Sequence, residues 1–138
     1  MKDIQKLSNV IVEFYEKLSN WENAIVEGSG YSLPQMHAIE ILGINGPLKM
    51  KNLSEKIGIT TGTLTVTIDK LEKKGVVVRK ANPEDRRSYV IELTEQGQKL
   101  HQEHSNYHLK LTEECISDFS DNEKKLFYDS IKKFISNF

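Results

Sequence analysis

Residues 53–80 read L-S-E-K-I-G-I-T-T-G-T-L-T-V-T-I-D-K-L-E-K-K-G-V-V-V-R-K, and this stretch decides the fold. Leu53 and Ile57 make a small apolar patch one turn apart on a short helix. Gly58 permits a sharp turn because it has no Cβ to clash at positive φ. Thr60 or Thr61 can cap a second helix by accepting a bond from an unpaired backbone N–H. Leu64, Ile68 and Leu71 then recur at the spacing of one buried helical stripe. Gly75 ends that helix, just after Lys73 and Lys74, whose charges suit a helix C-terminus. The spacing is that of a helix-turn-helix, whose second helix enters the major groove of DNA. A plain packing corner has the same spacing, so the flanking sequence has to decide between the two.

The residues on its C-terminal side favour DNA. Val76, Val77 and Val78 are β-branched and predict a strand. Residues 81–87 form a charged turn, and Tyr89, Ile91 and Leu93 alternate along a return strand. The result is a β-hairpin with Arg86 and Arg87 at its tip, a wing beside the second helix. Guanidinium groups there suit the negative potential of a minor groove, and Asp85 is placed to hold Arg87 by a bidentate contact. The candidate DNA contacts are therefore Thr60, Thr61, Gly62, Thr63, Thr65, Val66, Thr67, Lys70, Arg86 and Arg87. The first half of the second helix carries no Arg or Lys. Arginine reads guanine, whereas Thr and Val methyl groups suit the thymine methyl, so the expected operator is A·T-rich.

The charge distribution agrees. The chain has a net charge of −1. Residues 45–90 hold ten Lys and Arg against five Asp and Glu, leaving nine against fifteen elsewhere. The positive excess sits with the helix-turn-helix, where phosphate would be met. With 138 residues, 38% hydrophobic and 28% charged, the chain suits one ordinary soluble domain. It has no run of about 18 apolar residues for a membrane span. A single cysteine, Cys115, allows no internal disulfide, and together these features point to the cytosol.

The remaining elements read as helices. Residues 4–26 carry Ile4, Leu7, Ile11, Phe14, Leu18, Trp21 and Ile25 as an apolar seam. Ser32 caps a second helix with Pro34 in its first turn. Thr94 opens a long helix with Leu100, His104, Tyr107, Leu111 and Cys115 on its inner stripe. Ser120 and Glu123 have the spacing of a capping box before a last helix with Leu126, Ile131, Phe134 and Ile135. The fold class is mainly α with a small β-hairpin wing.

The stretch N-P-E-D-R-R-S-Y-V-I-E-L-T-E-Q-G, residues 82–97, and the helix-turn-helix of residues 53–75 resemble the multiple-antibiotic-resistance regulator (MarR) family of winged-helix repressors. The resemblance covers nearly the whole chain. It implies a homodimer on double-stranded DNA with a pseudo-palindromic operator. It also implies an organisation of residues 1–32 as an N-terminal dimerisation helix, 33–95 as the winged helix-turn-helix, and 96–138 as C-terminal dimerisation helices.

The four histidines are His37, His101, His104 and His108. His104 and His108 lie one turn apart on one helix face, an arrangement that can grip one metal ion when further ligands converge. His37 and Glu22 are the candidate third and fourth ligands. The set resembles that of the family's zinc-sensing, adhesin-competence type of repressor, which implies Zn²⁺ as a corepressor. That branch has a second metal site with a cysteine in the first loop and a glutamate before the second-helix histidine. Here the loop has no Cys and Met36 stands at the other position, so the second site is not expected. The alternative effector is a small organic ligand in the crevice between dimer stem and winged domain. Thiol oxidation at Cys115 is disfavoured, because it sits late in its helix on an apolar stripe with no basic neighbour. A metalloenzyme is a remote alternative, since nothing suggests a substrate pocket or general base. A winged helix used only for protein contacts would tolerate loss of Arg86 and Arg87.

Overall fold

The computed structural model describes residues 2–138, in the order α1 (Lys2–Glu27), α2 (Leu33–Asn45), α3 (Met50–Ile57), α4 (Thr61–Lys73), β1 (Val77–Asn82), β2 (Asp85–Leu93), α5 (Glu95–Cys115) and α6 (Asp121–Ser136). The fold is mainly helical with one antiparallel hairpin. Two compact units divide within α5, one ending at His101 and the other running from Gln102 to Phe138.

In the first unit, the stripe read from the sequence is the core. Ile39 and Leu42 of α2, Leu53 of α3, and Leu64, Ile68 and Leu71 of α4 are fully buried, together with Val76 and Ile91. Each such side chain contributes about 1.5–3 kcal/mol by leaving water. The turn between α3 and α4 is set by Gly58, at φ 83°, whose amide donates to the Ser54 carbonyl at 2.8 Å. This is a left-handed position that a Cβ would strain. Thr60, not Thr61, is the cap of α4: its Oγ1 accepts from the Thr63 amide at 3.3 Å.

The hairpin pairs Val77 with Leu93, Arg79 with Ile91 and Ala81 with Tyr89. Its turn is tighter than the sequence suggested. The strands run to Asn82 and restart at Asp85, so Arg86 and Arg87 lie in the first residues of β2. Leu48 adds a short third rung, exchanging backbone bonds with Ile91 at 2.8 and 3.0 Å. The start of α5 is locked to the wing by Thr94, whose hydroxyl donates to the Gly75 carbonyl at 2.7 Å and accepts from the Gly97 amide at 3.2 Å. Gly97 is required there, because a Cβ would lie 2.2 Å from the Val76 carbonyl oxygen.

α1 buries Glu22 and Val26 near its C-terminal end, while Ile4, Leu7 and Phe14 of the expected seam are exposed. In the second unit, α6 begins with the expected capping box of Ser120 and Glu123 and buries no residue. Tyr107 and Cys115, expected on an inner stripe of α5, are exposed. Among the described residues, no helix is long and apolar enough to cross a membrane.

Candidate nucleic-acid interface and candidate metal ligands

α4 divides its residues between two faces. Leu64, Thr67, Ile68 and Leu71 point inward. Thr61, Gly62, Thr63, Thr65, Val66 and Lys70 are exposed, as is Thr60 at the cap. Thr67 corrects the expectation: it is 8% exposed, and its hydroxyl donates to the Thr63 carbonyl at 3.3 Å, so it belongs to the core side. Thr65 makes the same kind of back-bond, to the Thr61 carbonyl at 2.8 Å, but from the solvent face.

The wing is built from short polar bonds. Asn82 is buried, donates to Ser88 Oγ at 3.0 Å and accepts from the Glu84 amide at 3.1 Å. These two bonds hold the ends of the tight turn together. Asp85 orients the wing, but not as expected. Its carboxylate accepts from the backbone amide of Arg87 at 3.0 Å, rather than gripping the guanidinium. An Asp hydrogen-bonding two residues ahead is a common turn device, and it leaves the Arg87 head free.

The basic charge in residues 45–90 falls into two groups. Arg79 pairs with Asp69 and, at 3.0 Å, with Glu72, both on α4, and lies over the Tyr89 ring. Lys80 pairs with Glu92. Lys74 donates to the Gly30 carbonyl at 2.7 Å and stands 4.2 Å from the Tyr31 ring centre. The other seven of the ten cations, Lys49, Lys51, Lys56, Lys70, Lys73, Arg86 and Arg87, have no such partner among the described residues. Arg79 was not singled out from the sequence, although it ties the wing to the second helix of the motif. The clue was an Arg in β1 with Asp69 and Glu72 one turn apart on α4.

The candidate metal ligands form two pairs. In the second unit, His104 is buried, and its Nε2 lies 3.1 Å from Nε2 of His108. Two Zn–N bonds of about 2.0–2.1 Å at a tetrahedral angle would place such nitrogens about 3.3 Å apart, so the pair fits one ion. In the first unit, Glu22 of α1 and Glu40 of α2 bring carboxylate oxygens within 4.8 Å of each other. His37, the expected third ligand, is not in this group; Glu40, three residues further along α2, is. His101 packs against Gly43, where a Cβ would lie 2.3 Å from the imidazole.

Residues 31–89 match the model of the MarR family. YwoH of Bacillus subtilis (strain 168), an HTH-type transcriptional regulator, is 30% identical over 82% of this chain and 82% of its own length. YfiV of the same organism, also an HTH-type transcriptional regulator, is 37% identical over 72% of this chain, which spans 62% of YfiV. Among solved structures, Streptococcus pneumoniae FabT in complex with DNA superposes with a TM-score of 0.83 at 23% identity, covering 96% of this chain and 95% of FabT.

Proposed function

Since the chain belongs to the MarR family of winged-helix transcriptional regulators, we propose that it binds an A·T-rich, pseudo-palindromic operator as a homodimer and represses transcription there. α4 enters the major groove with Thr61, Gly62, Thr63, Thr65 and Val66 toward the bases, and Thr60 and Lys70 toward the backbone. Arg86 and Arg87 reach the minor groove.

One observation carries this reading. In the wing, Arg79 and Lys80 are spent on ion pairs, while Arg86 and Arg87 stay exposed and uncommitted at its end. Exposed cations without partners next to an uncharged helix face match a site in which phosphates position and bases specify. Homodimerisation is supported by Ile4, Leu7 and Phe14 on α1 and by Leu126, Phe134 and Ile135 on α6, all large, apolar and exposed in one chain.

The test is footprinting on DNA from upstream of the protein's own gene. Two protected half-sites about one helical turn apart are expected for a two-fold dimer. Replacing A·T by G·C at the half-site centres should weaken binding sharply. Uniform binding along any duplex would contradict the reading.

A second reading concerns the effector. We propose Zn²⁺ as corepressor, gripped by the His104 and His108 imidazole pair. The support is the 3.1 Å imidazole pair, whose donor type suits zinc. Bound zinc would supply a fixed link between its ligands, favouring whichever conformation presents them together. About one Zn²⁺ per chain should bind, and His104→Ala with His108→Ala should abolish both binding and the zinc response of the DNA complex. An unchanged zinc response in that variant would leave a small organic ligand as the effector.

A further inference from the structure

Thr65 is the exposed hydroxyl of α4 whose hydrogen is already in use. Its Oγ1 donates to the Thr61 carbonyl one turn back, at 2.8 Å. Side-chain to i−4 back-bonding of this kind fixes the χ1 rotamer of a helical Thr. The proton that would have to be offered to a base acceptor is spent inside the helix, and the γ-methyl is left in a fixed place. Next to it, Val66 is 55% exposed and carries methyls alone. One turn earlier, Gly62 carries nothing, and one turn later, Asp69 is held by Arg79. The Thr63 hydroxyl, by contrast, accepts from Thr60 at 3.0 Å.

A donor-free pair of methyl-bearing side chains cannot bond the N7 and O6 acceptors of guanine. It can bury the C5-methyl of thymine, the one apolar group on a major-groove edge. We infer that Thr65 and Val66 are specificity-determining residues that select thymine by methyl contact, and that the Thr65 hydroxyl donates to no base. The inference rests on the proposed DNA-binding function and deepens it.

The experiment uses the full-length protein and the footprinted duplex, alongside the same duplex with deoxyuridine for thymidine in its half-sites. That change removes only the C5-methyl. Binding of the wild-type protein should weaken by about fourfold for each methyl contacted, the factor that burying one such group gives. T65V keeps the methyls and loses the hydroxyl, so it should keep the preference for the thymine over the uracil duplex. T65S keeps the hydroxyl and loses the methyl, so it should weaken thymine binding by about fourfold and respond less to uracil. Position 65 is exposed, and circular dichroism of each variant checks that the fold is kept.

Equal wild-type affinity for the thymine and uracil duplexes overturns the inference while leaving DNA binding intact. So does a T65V loss larger than the T65S loss. Absence of any salt-dependent binding to the upstream DNA overturns the DNA-binding reading and this inference together.

Discussion

α4 and α6 are both amphipathic helices, yet they use their apolar faces in opposite ways. α4 hides Leu64, Ile68 and Leu71 completely within its own unit. α6 carries Leu126, Phe127, Phe134 and Ile135 and buries none of its residues. Cores close because apolar surface leaves water, so an unburied apolar helix face marks a surface completed by something else. One helix closes its apolar face within its own unit; the other leaves it exposed in the single chain.

Substitutions can break that comparison, and the largest effect is expected in the core. Leu64→Ala should lower the unfolding free energy by about 2–5 kcal/mol, the usual cost of a buried Leu truncation, read by urea denaturation. A loss as small as that of a surface change would mean that α4 is not anchored as described. On α6, Leu126 is 68% exposed, and Leu126→Asp should leave helix content unchanged. It should raise the dimer dissociation constant by about tenfold or more, if this residue anchors the interface. Sedimentation equilibrium measures it, and an unaltered dimer would remove α6 from the interface.

Smaller effects sharpen the picture of the ligand-facing side of α4. Thr60→Ala removes the cap bond to the Thr63 amide and should cost about 1 kcal/mol, with Thr60→Ser restoring most of it. Gly62→Ala should do the reverse. A Cβ there meets nothing within 4 Å, so Ala should stabilise the fold by up to about 1 kcal/mol. If the bare backbone at Gly62 lets DNA approach, the same change should weaken operator binding. Melting temperature and anisotropy titration, moving in opposite directions, would show that this glycine serves the ligand rather than the fold.

The helix-turn-helix was legible because its signals are local: one glycine at the turn, a hydroxyl cap, and apolar residues in helical phase. Thr67 was legible too, though misassigned, since it lies three residues after Leu64 and four before Leu71, on the buried stripe. The wing's chemistry was harder. Asn82 and Ser88 meet only once the hairpin is formed, and the Asp85 bond goes to a backbone amide that no charge pattern announces. The grouping of Glu40 rather than His37 with Glu22 has the same origin. Glu40 and His37 both sit on α2, three residues apart, so the helical period alone does not separate them.

The most direct test of the central claim, that α4 and the wing form a DNA-binding surface, is the salt dependence of operator affinity for the wild-type protein and for Arg86→Ala with Arg87→Ala. Both arginines are exposed and uncommitted, so the variant should fold normally. Weaker binding is expected, with a slope of log K against log salt that falls by about one for each arginine removed from the complex. A folded variant with the wild-type affinity and slope would contradict it.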